Sequence, residues 1–130
     1  MSPTQRTLKL MRAEGWFCEV VEYWNPWVHR RHDLFGYADV LCVKGNETLT
    51  VQTTSGSNVS ARLTKIAACP GALVWLQSPT RRIEVHGWRK VGERGKRKTW
   101  QCRRVQVTLE DLKAHFQLAR ERRRWISSPK

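Results

Sequence analysis

Asp33-Leu-Phe-Gly-Tyr-Ala-Asp39-Val-Leu-Cys-Val43, a short polar turn, and Thr48-Leu-Thr-Val-Gln52-Thr-Thr54 decide how this chain is read. Both runs are rich in β-branched and aromatic residues, which predicts strands over 34–44 and 48–54. Gly45-Asn46 between them is hairpin-turn chemistry. Ser55 to Asn58 is a polar link, and Ser57 or Asn58 is placed to cap a helix running to about Ala68. That helix would carry Val59, Leu63 and Ile66 on one side. Asp39 then falls in the middle of a strand among Val, Leu and Cys, where a carboxylate is costly to bury without a partner.

Upstream, Ser2-Pro3-Thr4-Gln5 has the residues of a capped helix start, and Leu8, Leu10 and Met11 give an apolar side that Gly15 terminates. Trp16 to Trp24 reads as a first strand, stopped by Asn25-Pro26, and Trp27 to His32 as a basic aromatic loop. Downstream, Pro70-Gly71 breaks the second helix. Ala72 to Leu76 is almost wholly apolar, which suits a strand covered on both faces. Ile83–Arg89 and Trp100–Val107 flank a basic loop over 92–99 and read as a β-hairpin or a pair of late edge strands. Thr108-Leu-Glu-Asp111 opens a last helix carrying Leu109, Leu112, Phe116 and Ala119, then the run Arg120–Trp125. The expectation is one α/β domain over residues 1–126. It has a mixed central sheet flanked by helices, an α-β-β-β-α-β core, a basic hairpin and a C-terminal helix, with a loose tail at 127–130.

The 130 residues suit one domain, and 40% hydrophobic composition supports a packed core. Lys plus Arg number 24 against 11 Asp plus Glu, a formal charge of +13. Such an imbalance selects polyanionic partners, nucleic acid first. No run approaches the roughly 20 apolar residues of a membrane span, and no apolar leader opens the chain. A cytoplasmic protein without a membrane partner follows. Cys18, Cys42, Cys69 and Cys102 form no C-x-x-C pair, so reduced structural thiols are expected rather than a zinc site.

Asp39 and Gln52 lie at levels that a hairpin can bring together. Gln52 and Thr54 share strand parity and face the same way. The Gln52 amide oxygen and the Thr53 carbonyl are hard-cation donors beside the Asp39 carboxylate. Asp33 either joins such a site or caps its turn against Arg30 or Arg31. His29, His32 and Asp33 follow a proline in a loop and do not make a zinc site. His86 reads as a residue of the sheet surface. Gly92-Glu-Arg-Gly95-Lys96 is too short for a phosphate loop, and no Ser-His-Asp or Cys-His arrangement stands out.

Taken together, Asp33 to Leu41, Leu49 to Ser55 and Asn58 to Ile66 make this chain resemble the PD-(D/E)XK nuclease superfamily. It is most similar there to phage and bacterial relatives of the Holliday-junction-resolvase and VRR-NUC type. The likeness covers roughly residues 5–90. It rests on element order as much as on letters: a helix, three strands with Asp in the second and a polar triplet in the third, a helix, then a strand. The resemblance implies Asp39 as the metal-binding acid, Gln52 at the motif's Glu position, and Mg²⁺ or Mn²⁺ held by Asp39, Gln52 and the Thr53 carbonyl. Glu14 or Glu19 would be an extra acid, with Glu14 preferred. Thr54 departs from the motif's lysine and cannot supply its positive charge. Lys65, or Arg62 one turn earlier, would reach back from the helix instead. The implied activity is metal-dependent hydrolysis of DNA phosphodiesters, branched or junction DNA included, in a bacterial or phage-infected cell, with a homodimer allowed. RNA fits the same chemistry.

Arg81 to Arg104 holds ten Lys/Arg and two Glu. Arg89, Lys90, Arg94, Lys96, Arg97 and Lys98, interleaved with Trp88 and Trp100, suit phosphate contact with aromatic stacking. Arg30 and Arg31 add a second basic spot. The competing classes are a non-catalytic nucleic-acid-binding module on the same fold and a protein that uses its charge on another acidic partner.

Overall fold

The computed structural model describes residues 1–114. Phe116, Ala119, the Arg120–Trp125 run and the expected tail lie outside the described residues. The chain forms a single α/β domain with a five-stranded mixed sheet, a separate two-stranded hairpin, and helices. Its elements are α1 (Pro3–Ala13), β1 (Phe17–Val20), β2 (Tyr23–Asn25), β3 (Arg30–His32), β4 (Val40–Lys44), β5 (Glu47–Ser55), α2 (Val59–Ala67), α3 (Pro70–Trp75), β6 (Arg81–Val91) and β7 (Thr99–Val107). A single 3-10 turn, Gly56–Asn58, joins β5 to α2.

Strand order in the large sheet is β1-β4-β5-β6-β7. β1, β4 and β5 form an antiparallel meander, β6 runs parallel to β5 after the helical crossover, and β7 returns antiparallel to β6. Alternation along β5 sorts its side chains between two layers. Leu49 and Val51 join Leu8, Met11, Trp16, Cys18, Val40 and Cys42 in a core with α1. The other face packs Ile83, Val85 and Val107 against Val59 and Ile66 of α2, Ala72 of α3, Tyr37 and Leu112. Gly87 lets α2 lie directly on β6: a Cβ there would fall 2.3 Å from Val59 Cγ2. The four cysteines are free, and Cys18 faces Cys42 across β1 and β4 with the sulfurs 3.0 Å apart. No helix among the described residues is long and apolar enough to cross a membrane.

Several local expectations hold. Ser2 Oγ accepts the Gln5 N–H, Gly45 (φ 61°) opens the two-residue β4–β5 turn, and Thr108 and Asp111 exchange both capping hydrogen bonds as the chain turns helical at 109–114. Four others do not. Residues 34–38 are a turn, closed by paired Leu34 and Ala38 backbone bonds, with Phe35 (φ 57°) and Gly36 (φ 85°) left-handed. Asp39 therefore stands at the mouth of β4, before its first residue. Residues 16–24 split into β1 and β2, and the expected loop after Asn25 becomes the partner strand β3. Residues 72–75 belong to α3 and Leu76 caps it, so the expected strand over 72–76 is absent. Pro70 presets the first helical turn, and a short apolar run does not distinguish a buried strand from a helix. The strand parallel to β5 is β6 instead. Finally, His86 is fully buried beneath α1, not on the sheet surface.

Candidate metal centre

Where β4 begins, β5 ends its central run and α1 starts, a cavity of about 670 Å³ opens. Asp39, Gln52, Thr53, Thr54, Arg62, Lys65 and Arg31 all line it, so the structure brings together the core of the sequence-based site. The meander does this by register. Val40 pairs with Val51, and Asp39 N–H donates to the Val51 carbonyl at 2.9 Å. The Asp39 side chain is thereby set against the next two residues of β5. Its Oδ2 accepts from Gln52 Nε2 at 2.7 Å, Thr53 N–H at 2.8 Å and Thr53 Oγ1 at 3.1 Å. Thr53 Oγ1 also meets Thr4 Oγ1 of α1 at 2.8 Å.

Two further acids complete a cluster. Glu22, Asp33 and Asp39 each present a carboxylate oxygen, all within 4.8 Å of one another. Lys65 of α2 pairs with Asp33 at 3.0 Å, and Arg31 with Glu22 at 3.4 Å. Among the described residues, Asp39 has neutral hydrogen-bond donors but no cation paired with it. Burial, then the charges of Asp33 and Glu22, push its carboxyl up to about 7 against the opposing Thr53 hydrogen bond.

The donor set suits a hard divalent cation. The ionised Asp39 carboxylate only accepts, so in that state Gln52 turns its NH₂ toward it, as the 2.7 Å Nε2 contact has it. Its Oε1 is left buried without a hydrogen-bond partner. An orphaned acceptor in a side chain only 2% exposed costs on the order of 1–3 kcal/mol. An oxygen-seeking ion would satisfy it while relieving the three carboxylates.

Glu14 is elsewhere. It caps the C-terminal end of α1, about 16 Å of helix from the residues that line the cavity, and it binds Arg104 at 2.7 Å. Glu19 is exposed on β1, opposite Leu41. Their place is taken by Glu22, which sequence reasoning passed over, and by Asp33, which pairs with Lys65 rather than capping against Arg30 or Arg31. The missed signal was register. Pairing Cys18 with Cys42 carries the ladder to Val21 N–H and the Asp39 carbonyl (2.8 Å), which puts Glu22 beside the site.

The basic residues extend away from this cavity. Arg89 and Trp88 line a second cavity of about 670 Å³ with Arg103, and Ser55 borders both. Lys90, Arg94, Lys96, Arg97 and Lys98 are exposed along the β6–β7 hairpin and its loop. Arg30 is exposed on β3. Trp88 and Trp100 serve packing against α1: Trp88 donates its N–H to Thr7 Oγ1 at 3.0 Å, and the Arg6 guanidinium covers Trp100 at 3.8 Å. No protein-family model, curated protein or solved structure matches this chain.

Proposed function

We propose that the protein is a small metal-dependent nuclease that hydrolyses DNA phosphodiesters on a restriction-endonuclease-like core of the PD-(D/E)XK type. The observation that carries this reading is the convergence of Glu22, Asp33 and Asp39 around the orphaned Gln52 Oε1. The element order supports it: α1, then the meander β1-β4-β5, the α2 crossover and the parallel strand β6.

Asp39, Gln52 and the flanking acids would hold Mg²⁺ or Mn²⁺. When bound, the ion supplies Lewis-acid charge at a phosphoryl oxygen and at the attacking water. The chain's own groups do the rest. Gln52 and Thr53 hold the Asp39 carboxylate in one orientation. Lys65 and Arg62, which line the same cavity, furnish the positive charge that Thr54 lacks against the charge developing on phosphate. The first turn of α1 opens on this cavity and favours an anion there. Arg89, Arg103 and the β6–β7 hairpin continue the positive track past Ser55, so a strand leaving the centre meets phosphate contacts.

Cleavage of plasmid and branched DNA with Mg²⁺, Mn²⁺ or EDTA tests this. Metal-dependent cutting is expected from the wild type. Asp39→Ala should lower it beyond the roughly 10–100-fold that losing a supporting partner costs, and Lys65→Ala should lower it with metal still bound. DNA binding by every form with cutting by none would overturn the nuclease reading. Thr54 would then mark a site that binds without hydrolysing.

A further inference from the structure

Residues 23–32 leave the acidic cluster and return to it. Glu22 immediately precedes β2 and Asp33 immediately follows β3, so this hairpin springs from two of the three carboxylates. It is a sheet of its own, not hydrogen-bonded into the five-stranded one. A lone two-stranded hairpin has little stability. Tyr23 stacked on His32 (centroids 5.2 Å apart), Trp24 edge-on to His29 (6.2 Å) and Asn25 Oδ1 accepting the Trp27 N–H hold its shape.

Its aromatic side chains stand in water: Tyr23 is 60% exposed, Trp24 55% and Trp27 90%. An indole left in solvent gives the fold none of the burial energy such a side chain normally supplies. The other tryptophans among the described residues have partners within the chain: Trp16 is buried, Trp75 donates to the Arg82 carbonyl, Trp88 donates to Thr7, and Trp100, 40% exposed, lies under Arg6. Exposed Arg30 and Arg31 stand on the same hairpin, and Arg31 also lines the acidic cavity.

We propose that this hairpin is a stacking arm for unpaired nucleic-acid bases, which makes a single-stranded or flapped strand the substrate class of the adjacent centre. Trp24 and Trp27 take successive base faces, and Arg30 and Arg31 take the flanking phosphates. The arm's base is the Glu22–Asp33 pair, so the strand it holds runs on to the carboxylates. Bases within a duplex already cover one another's faces, whereas unpaired bases offer theirs to aromatic side chains. Two arginines among the aromatics of a +13 chain complement a polyanion. A second copy of this chain would bring its own positive charge to the same spot. What is done to the strand rests on the nuclease proposal; its capture does not.

Equilibrium binding in EDTA separates the two ideas, using labelled single-stranded, flapped and blunt-duplex DNA. The forms compared are the wild type, Trp27→Ala, Trp24→Ala/Trp27→Ala and Trp27→Phe. Affinity for the single strand and the flap should fall roughly tenfold for each indole removed. Trp27→Phe should keep most of it, and blunt-duplex affinity should hold. Equal losses on all three DNAs, or none on any, would overturn the stacking arm. So would a wild-type oligomer that the double variant dissolves, since the hairpin would then be a self-association surface. Selective loss of single-strand binding, with no metal-dependent cutting by the wild type, would sink the nuclease reading and leave the arm standing.

Discussion

Two groups of carboxylates lie along α1, one where the helix begins and one beneath its middle and end, and their surroundings are opposite. In the second group the chain supplies every counter-charge. Trp88 N–H donates to Thr7 Oγ1, Thr7 meets His86 Nδ1 at 3.1 Å, and His86 Nε2 meets Glu84 at 2.8 Å. Arg104 bridges Glu84 at 3.1 Å and Glu14 at 2.7 Å. Burial works against the Glu84 charge, but His86 and Arg104 outweigh it and hold the carboxyl below its ordinary value. In the first group, Lys65 and Arg31 pair with Asp33 and Glu22, the Asp39 carboxyl is pushed up to about 7, and Gln52 Oε1 has no partner. A cluster completed by its own chain is a brace, and a cluster left short of positive charge points to something the chain does not carry.

The largest effect that would break this contrast is in pH. Asp39 goes from an ordinary 3.8 to about 7 on folding. Between those values the folded state keeps a proton that the unfolded state has released. The stability this group contributes is full below pH 3.8 and gone once pH passes 7, a fall of about 4 kcal/mol. Metal-free protein should therefore weaken from pH 4 to 7 in urea titrations, and Asp39→Asn should flatten that slope. Glu84 has the opposite sign: its contribution is present above its ordinary value of 4.5 and disappears as pH falls. Equal slopes in wild type and Asp39→Asn would mean that the carboxyl is charged throughout, and the contrast fails.

Divalent metal provides the next largest test. At a free Mg²⁺ concentration a hundredfold above Kd, a single site on the folded state adds about 2.7 kcal/mol. At pH 7.5 the wild type should rise in Tm with Mg²⁺ and fall back with EDTA, while Asp39→Asn stays flat. A wild type indifferent to Mg²⁺ and Mn²⁺ would remove the metal from the first cluster.

How much of this was legible in the sequence follows from which signals are local. The β4–β5 turn, the second helix, the late hairpin and the Asp39–Gln52 pairing were readable because Gly45-Asn46, the helical periodicity and strand parity each act within a few residues. The Leu34–Ala38 turn was not. Phe35 is a bulky residue in a left-handed conformation, and nothing in its identity announces that. The helix at Pro70–Trp75 was hidden because apolarity on every side removes periodicity. Glu22 was invisible for a different reason: its neighbourhood is created by β1 pairing with β4 across an inserted hairpin. The tryptophans failed similarly, since Trp88 and Trp27 differ in burial through α1, not through their own flanks.

The smallest expected effect sharpens the brace. Arg104→Ala removes the guanidinium between Glu84 and Glu14. Breaking a buried ion pair costs about 3–5 kcal/mol when the remaining charge is stranded. Here the Arg104 side chain is one-third exposed and His86 still reaches Glu84, so the expected loss is about 2 kcal/mol, read as a lower urea midpoint at constant m-value. Arg104→Ala/Glu84→Gln should recover part of it, because no carboxylate is then left buried without its cation. The Mg²⁺-dependent rise in Tm should survive in both variants, since Arg104 lines neither the cavity nor the Asp39 cluster. If Arg104→Ala abolished the metal response while the protein stayed folded, the two clusters would be one coupled network through α1, and the separation of brace from site would be wrong.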